Sequence, residues 1–93
     1  MEKLYIVHWG YATQDDRGNA NAFCKIHGIY TTLDGAKIGL RECQENLYIE
    51  TVHDADGDVS VYGSESEEYF EIDYSEDGIS REIYLTITAV EQN

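Results

Sequence analysis

The spacing of apolar positions changes twice along the chain, and each change marks a different kind of element. "KLYIVHWGYA" is apolar, aromatic and β-branched, which predicts a central strand over Leu4 to Tyr11. "TQDDRGNANA" is polar, with Gly and Asn, and reads as a loop. In "FCKIHGIYTT" the residues Phe23, Ile26, Ile29 and Tyr30 suggest a short extended segment broken at Gly28.

The period then becomes helical. Leu33, Ala36, Leu40, Cys43 and Leu47 recur at three- and four-residue spacing in "TTLDGAKIGLRECQENL", so a helix is expected over about Leu33 to Glu45. Thr31 or Thr32 supplies the N-cap, and Asp34 sits favourably in the first turn. Gly35 and Gly39 each cost such a helix roughly 1 kcal/mol relative to Ala. Close approach to a sheet is the expected compensation.

From there on the pattern is β, with two Asp-Gly turn signals. A two-residue turn at Asp56-Gly57 would pair Val52 with Val61 and set His53 opposite Ser60. A turn at Asp77-Gly78 pairs Ile72 with Ile83 and Phe70 with Leu85, apolar against apolar, so that register and alternation agree. The resulting expectation is an α+β fold: a single domain over residues 1–93, an antiparallel sheet of about five strands with one helix packed on one face.

Ninety-three residues suffice for one modest core. A hydrophobic content of 42% with eight Tyr among the aromatics separates the chain from disordered acidic proteins despite a formal charge of −13. No apolar run reaches the length of a membrane span and "MEKLYIVHWG" lacks the features of a signal peptide, so a soluble, cytoplasmic protein is expected. Two cysteines, Cys24 and Cys43, are too few for a disulfide framework, and reduced thiols are expected.

Charge changes the picture most. Residues 1–44 contain five acids and five bases; residues 45–93 contain fourteen acids and one base, Arg81, so the whole net charge belongs to the second half. This argues against direct binding of nucleic acid or anionic lipid, which need basic patches. If Phe70, Ile72, Ile83, Leu85 and Ile87 point inward, alternation sends Glu67, Tyr69, Glu71 and Asp73 outward beside Glu82, Tyr84, Thr86 and Thr88. Asp73 then faces Glu82, a like-charge pair that costs some tenths of a kcal/mol, and Arg81 is the one base near enough to relieve it. Solubility alone is served better by mixed charges.

Outward residues on a strand repeat every ~6.8 Å, comparable with the phosphates of a nucleic-acid strand, one per ~3.4 Å of helix axis. Tyrosines among the acids add flat surfaces on which arginine can stack. The expected contacts are Glu67, Glu68, Glu71, Asp73, Glu76, Asp77 and Glu82, with Tyr69 and Tyr84 as anchors and Asp54, Asp56 and Asp58 as an extension. In size, and in the acidic run from Glu65 to Glu82, the chain resembles the small phage-encoded anti-defence proteins of the DNA-mimic anti-CRISPR and anti-restriction type, a likeness of class without a signature motif. That resemblance implies a stoichiometric inhibitor of a basic nucleic-acid-binding protein such as a Cas effector. The rival expectation is a non-catalytic interaction module that assembles through a sheet edge or an apolar patch and whose acids confer solubility, a reading that homodimerisation would fit.

Other chemistry is less well supported. Asp54, Asp56, Asp58, Ser60 and Glu65 follow a calcium-loop count, but Val59 stands where that loop needs Gly. Cys24, His27, Cys43 and His53 do not match zinc-ligand spacing. A thiol nucleophile assembled from Cys24 or Cys43 with His8, His27 or His53 lacks an evident third group or oxyanion hole. "GAKIG" is not a phosphate-binding loop. No metal, cofactor or enzymatic activity is expected.

Overall fold

The computed structural model describes residues 2–14 and 20–92. Five strands and one helix follow in the order β1 (Glu2–Gln14), β2 (Ala20–Tyr30), α1 (Leu33–Asp54), β3 (Ser60–Gly63), β4 (Tyr69–Glu76) and β5 (Ile79–Gln92). The strands form one antiparallel sheet in the order β2-β1-β5-β4-β3, and the helix packs across one face of it. The fold is the α+β arrangement that the hydrophobic pattern predicts. β5 occupies the middle of the sheet and β1, which contains Leu4–Tyr11, is an interior strand beside it, paired on both sides.

The helix begins where the caps predict. Thr32 is the N-cap, its Oγ1 accepting from the Gly35 amide at 3.0 Å. It ends nine residues later than expected, and Val52 and His53 lie in its last turns rather than opposite Val61 and Ser60. The β-branched run Tyr48–His53 invites a strand, but Leu47 and Thr51 keep the inward stripe at i+4 spacing after Cys43. Once a helix is nucleated each further residue adds a hydrogen bond, so packing overrides propensity. Asp56-Gly57 is still a turn, with Gly57 at φ 108°. It joins the helix to β3, whose true partner is β4, pairing Ser60 with Asp73 and Val61 with Ile72.

The second turn forms as predicted. Asp77 and Gly78 have φ of 54° and 77°, the two left-handed residues of a type I′ hairpin. Phe70 pairs with Leu85, Ile72 with Ile83, Asp73 with Glu82 and Tyr74 with Arg81.

The core lies between helix and sheet. Val7, Ile72, Ile83 and Leu85 meet Ala36, Leu40 and Cys43, with Trp9, Tyr30, Phe70 and Ile87 packed around them. Complete burial of Leu40, Ile72, Leu85 and Val7 contributes roughly 1.5 to 3 kcal/mol for each side chain. A side chain on Gly39 would overlap the Tyr30 hydroxyl, so this glycine lets the helix sit against β2. The break expected at Gly28 is a bulge: Val7 pairs with Gly28 but His8 pairs with Ile26, leaving His27 without a partner in the ladder. Of the predicted polar loop, residues 15–19 lie outside the described residues, and its flanks belong to β1 and β2.

Candidate acidic interface

Register decides which acids stand together. On the face turned away from the helix, Tyr62, Glu71 and Tyr84 form one row across β3, β4 and β5, and Ser60, Asp73 and Glu82 form the next. Tyr69 stands beyond them opposite Thr86. The Tyr69 and Tyr84 rings are 6.5 Å apart, tilted by 33°. Each phenol donates to a carboxylate of its own strand: Tyr69 Oη to Glu71 Oε1 at 2.9 Å, and Tyr84 Oη to Glu82 Oε2. Residues i and i+2 share a face of a strand, which is why the sequence spacing Tyr-x-Glu and Glu-x-Tyr produces these contacts.

Three carboxylates, Glu71, Asp73 and Glu82, thus share a small area, and two of them, Glu71 and Glu82, are held by phenols. The consequence shows in their protonation. Asp73 is pushed up to about 6, by burial first and then by Glu71 and Glu82 beside it. Tyr69 is pushed up to about 12, again by burial first and then by its bond to Glu71. Asp73 Oδ1 is buried without a hydrogen-bond partner. The arrangement retains the like-charge repulsion that the register predicts.

The second acidic segment reaches the same end of the sheet. Asp56 binds the hairpin twice: its amide donates to the Ser75 carbonyl at 2.8 Å, and its Oδ2 accepts from the Asp77 amide at 2.5 Å. Asp56, Asp58, Asp73 and Glu82 border an open hollow of about 320 Å³, together with Tyr74, Ser75, Ser80 and Arg81. Asp54, at the end of the helix, borders instead a cleft of about 170 Å³ between helix and sheet, with Trp9, Tyr11, Leu47 and Tyr74.

Three more expected contacts lie elsewhere. Glu67 is not an outward strand residue: it precedes β4 in a turn, at φ 60°, with its amide donating to the Ser64 carbonyl. Its Oε2 meets Arg41 Nη2 of the helix at 3.1 Å, so Arg81 is not the one base close to the acidic run. Glu76 points to the helix side and pairs with Arg81 at 3.5 Å. Glu68 is half-buried, and its carbonyl accepts from the Ile87 amide at 3.3 Å. Asp77 is exposed at the turn.

Pattern reading overlooks Tyr62, exposed and opposite Glu71, because β3 is only four residues long and its partner is set by tertiary packing. It also overlooks how the outer face divides. The β1–β2 side carries Ile26 and Ile29, 65% and 59% exposed, whereas the acids gather on β4 and β5. The helix adds a stripe of Ile38, Ile49 and Val52, all exposed.

Among the described residues, no three His, Cys, Asp or Glu side chains are placed to hold a metal ion, and no helix is long and apolar enough to cross a membrane. Comparison of the chain with known protein families, curated proteins and solved structures finds no match.

Proposed function

We propose that this protein is a non-catalytic inhibitor that occupies the basic groove of a nucleic-acid-binding protein, with the outer face of the β4–β5 hairpin standing in for a nucleic-acid backbone. The observation that carries the reading is the convergence of two separate acidic segments on one hollow, where Asp56, Asp58, Asp73 and Glu82 border a space of about 320 Å³. An arginine or lysine of the partner fits such a rim, because its charge offsets the effect of burial and of Glu71 and Glu82, which together push Asp73 up to about 6, at a hollow where Arg81 is the one base of the chain's own. Tyr62, Tyr69 and Tyr84 supply ring surfaces beside the charges, suited to stacking by guanidinium groups. A Cas effector is the instance of such a partner that the likeness to anti-defence proteins implies.

The test is co-purification from a host lysate at low and high salt, comparing the natural chain with a double variant, Glu71→Lys with Asp73→Lys. Basic nucleic-acid-binding proteins retained at low salt, displaced by an oligonucleotide and lost with the variant, are the expected result. Partners that are neutral or acidic, or that survive the charge reversal, reject the reading.

The exposed isoleucines favour a second reading, a protein interaction module that pairs through one of its apolar patches. Ile26 and Ile29 on the sheet, and Ile38, Ile49 and Val52 on the helix, are the surfaces it would use. Binding that depends on these residues and ignores Glu71 and Asp73 would favour it. A concentration-dependent dimer in sedimentation, lost with Ile26→Ser and Ile29→Ser, would identify the partner as a second copy.

A further inference from the structure

A different group of side chains crosses three strands of the outer face. Cys24 Sγ of β2 lies 3.7 Å from His8 Nδ1 of β1, and His8 Nε2 lies 2.8 Å from Thr88 Oγ1 of β5. The third group that the sequence does not reveal is therefore Thr88, eighty residues from the histidine it holds.

The chemistry follows from the two ring nitrogens. In the tautomer whose Nε2–H donates to Thr88 Oγ1, Nδ1 carries a lone pair that faces the thiol and can accept its proton. A nucleophile, a base beside it and a residue that orients the base are the parts of an activated thiol. Cys24 is exposed, while the other thiol, Cys43, is buried in the core, and burial pushes it up to about 11. The row that holds Cys24 runs through Gly10 to Tyr84. Gly10 brings no side chain between them, so a group attached to Cys24 has the neighbouring strand to lie across.

We propose that Cys24 is a site of thiol–disulfide exchange with small disulfides, activated by His8. His8 Nδ1 takes the thiol proton as Sγ attacks one sulfur of the disulfide. A new S–S bond forms at Cys24, the incoming S–S bond breaks, and the departing thiolate takes the proton from His8. One half of the disulfide remains on the protein and the other leaves as free thiol, so no further oxidant enters.

The experiment follows adduct formation on the folded chain by site-resolved mass spectrometry, with glutathione disulfide as the probe. Cys24 is expected to react well before Cys43. His8→Asn should slow it by about tenfold, below the usual hundredfold or more of a general base because the site is open to water. Thr88→Val, an exposed change, should slow it less while leaving the far-ultraviolet circular dichroism intact. Cys24→Ser should remove the fast adduct. A Cys24 rate unchanged in both variants, or no higher than in the urea-unfolded chain, overturns the proposal. None of these rates depends on whether the acidic face binds a partner.

Discussion

Asp73 lies directly across from Glu82 in the β4–β5 ladder, and the Asp73 carboxyl holds its proton up to about pH 6. Two like charges are thus fixed face to face at the end of the sheet where the Asp56–Asp58 loop arrives. The fold tolerates them because the adjacent pair, Ile72 and Ile83, locks the register from the other face.

This repulsion sets a pH dependence. Because burial and its neighbours raise Asp73 from 3.8 to about 6 in the folded chain, the folded state holds more protons than the unfolded one between those values. The contribution of Asp73 to stability therefore falls as pH rises through that window. Asp73→Asn should stabilise the protein at pH 7 by about 0.5 to 1 kcal/mol and change little at pH 4. Urea unfolding of both chains at the two pH values checks it.

The proposed interface predicts a graded response to charge removal. Glu71→Gln and Glu82→Gln should each weaken partner binding several-fold at low salt and less at high salt, as screening predicts. Glu67→Gln should change it less, because Arg41 already neutralises Glu67 at 3.1 Å. Affinity measured for the three variants at two ionic strengths decides; equal losses would remove Glu71 and Glu82 from their special place.

Helix packing gives a prediction that opposes propensity. Gly39→Ala gains about 1 kcal/mol of helix propensity, yet the added methyl collides with the Tyr30 hydroxyl, and overpacking costs about 1 to 3 kcal/mol. The variant should be less stable by roughly 1 kcal/mol, the difference of those terms. Tyr30→Phe in the same chain should recover part of the loss. Thermal melts of the single and double variants test both statements.

At the hairpin turn, Gly78 has φ of 77° with open space around its Cα. Gly78→Ala should therefore cost about 1 kcal/mol through backbone conformation alone. Thr32→Ala, at the other end of the core, should cost about 1 kcal/mol by leaving the Gly35 amide uncapped, while Thr31→Ala costs little. Chemical denaturation separates the two threonines.

Local signals were sufficient wherever one residue's chemistry restricts its neighbours. Asp77-Gly78 fixes a left-handed pair, alternation fixes Ile72 against Ile83, and a threonine at 31 or 32 fixes where the helix starts, so the β4–β5 register and the placing of Glu71, Asp73, Tyr69, Glu82 and Tyr84 on one face were legible in advance. The charge asymmetry needed no structure at all. Tertiary structure alone decided the rest, because those outcomes depend on surfaces distant in sequence. Leu47 and Thr51 carried the helix on to Asp54 because the sheet was there to cover them. Arg41 reached Glu67, Asp56 closed on the hairpin, and His8 met Cys24 and Thr88 only because strands 1, 2 and 5 lie side by side, an adjacency that no local pattern encodes.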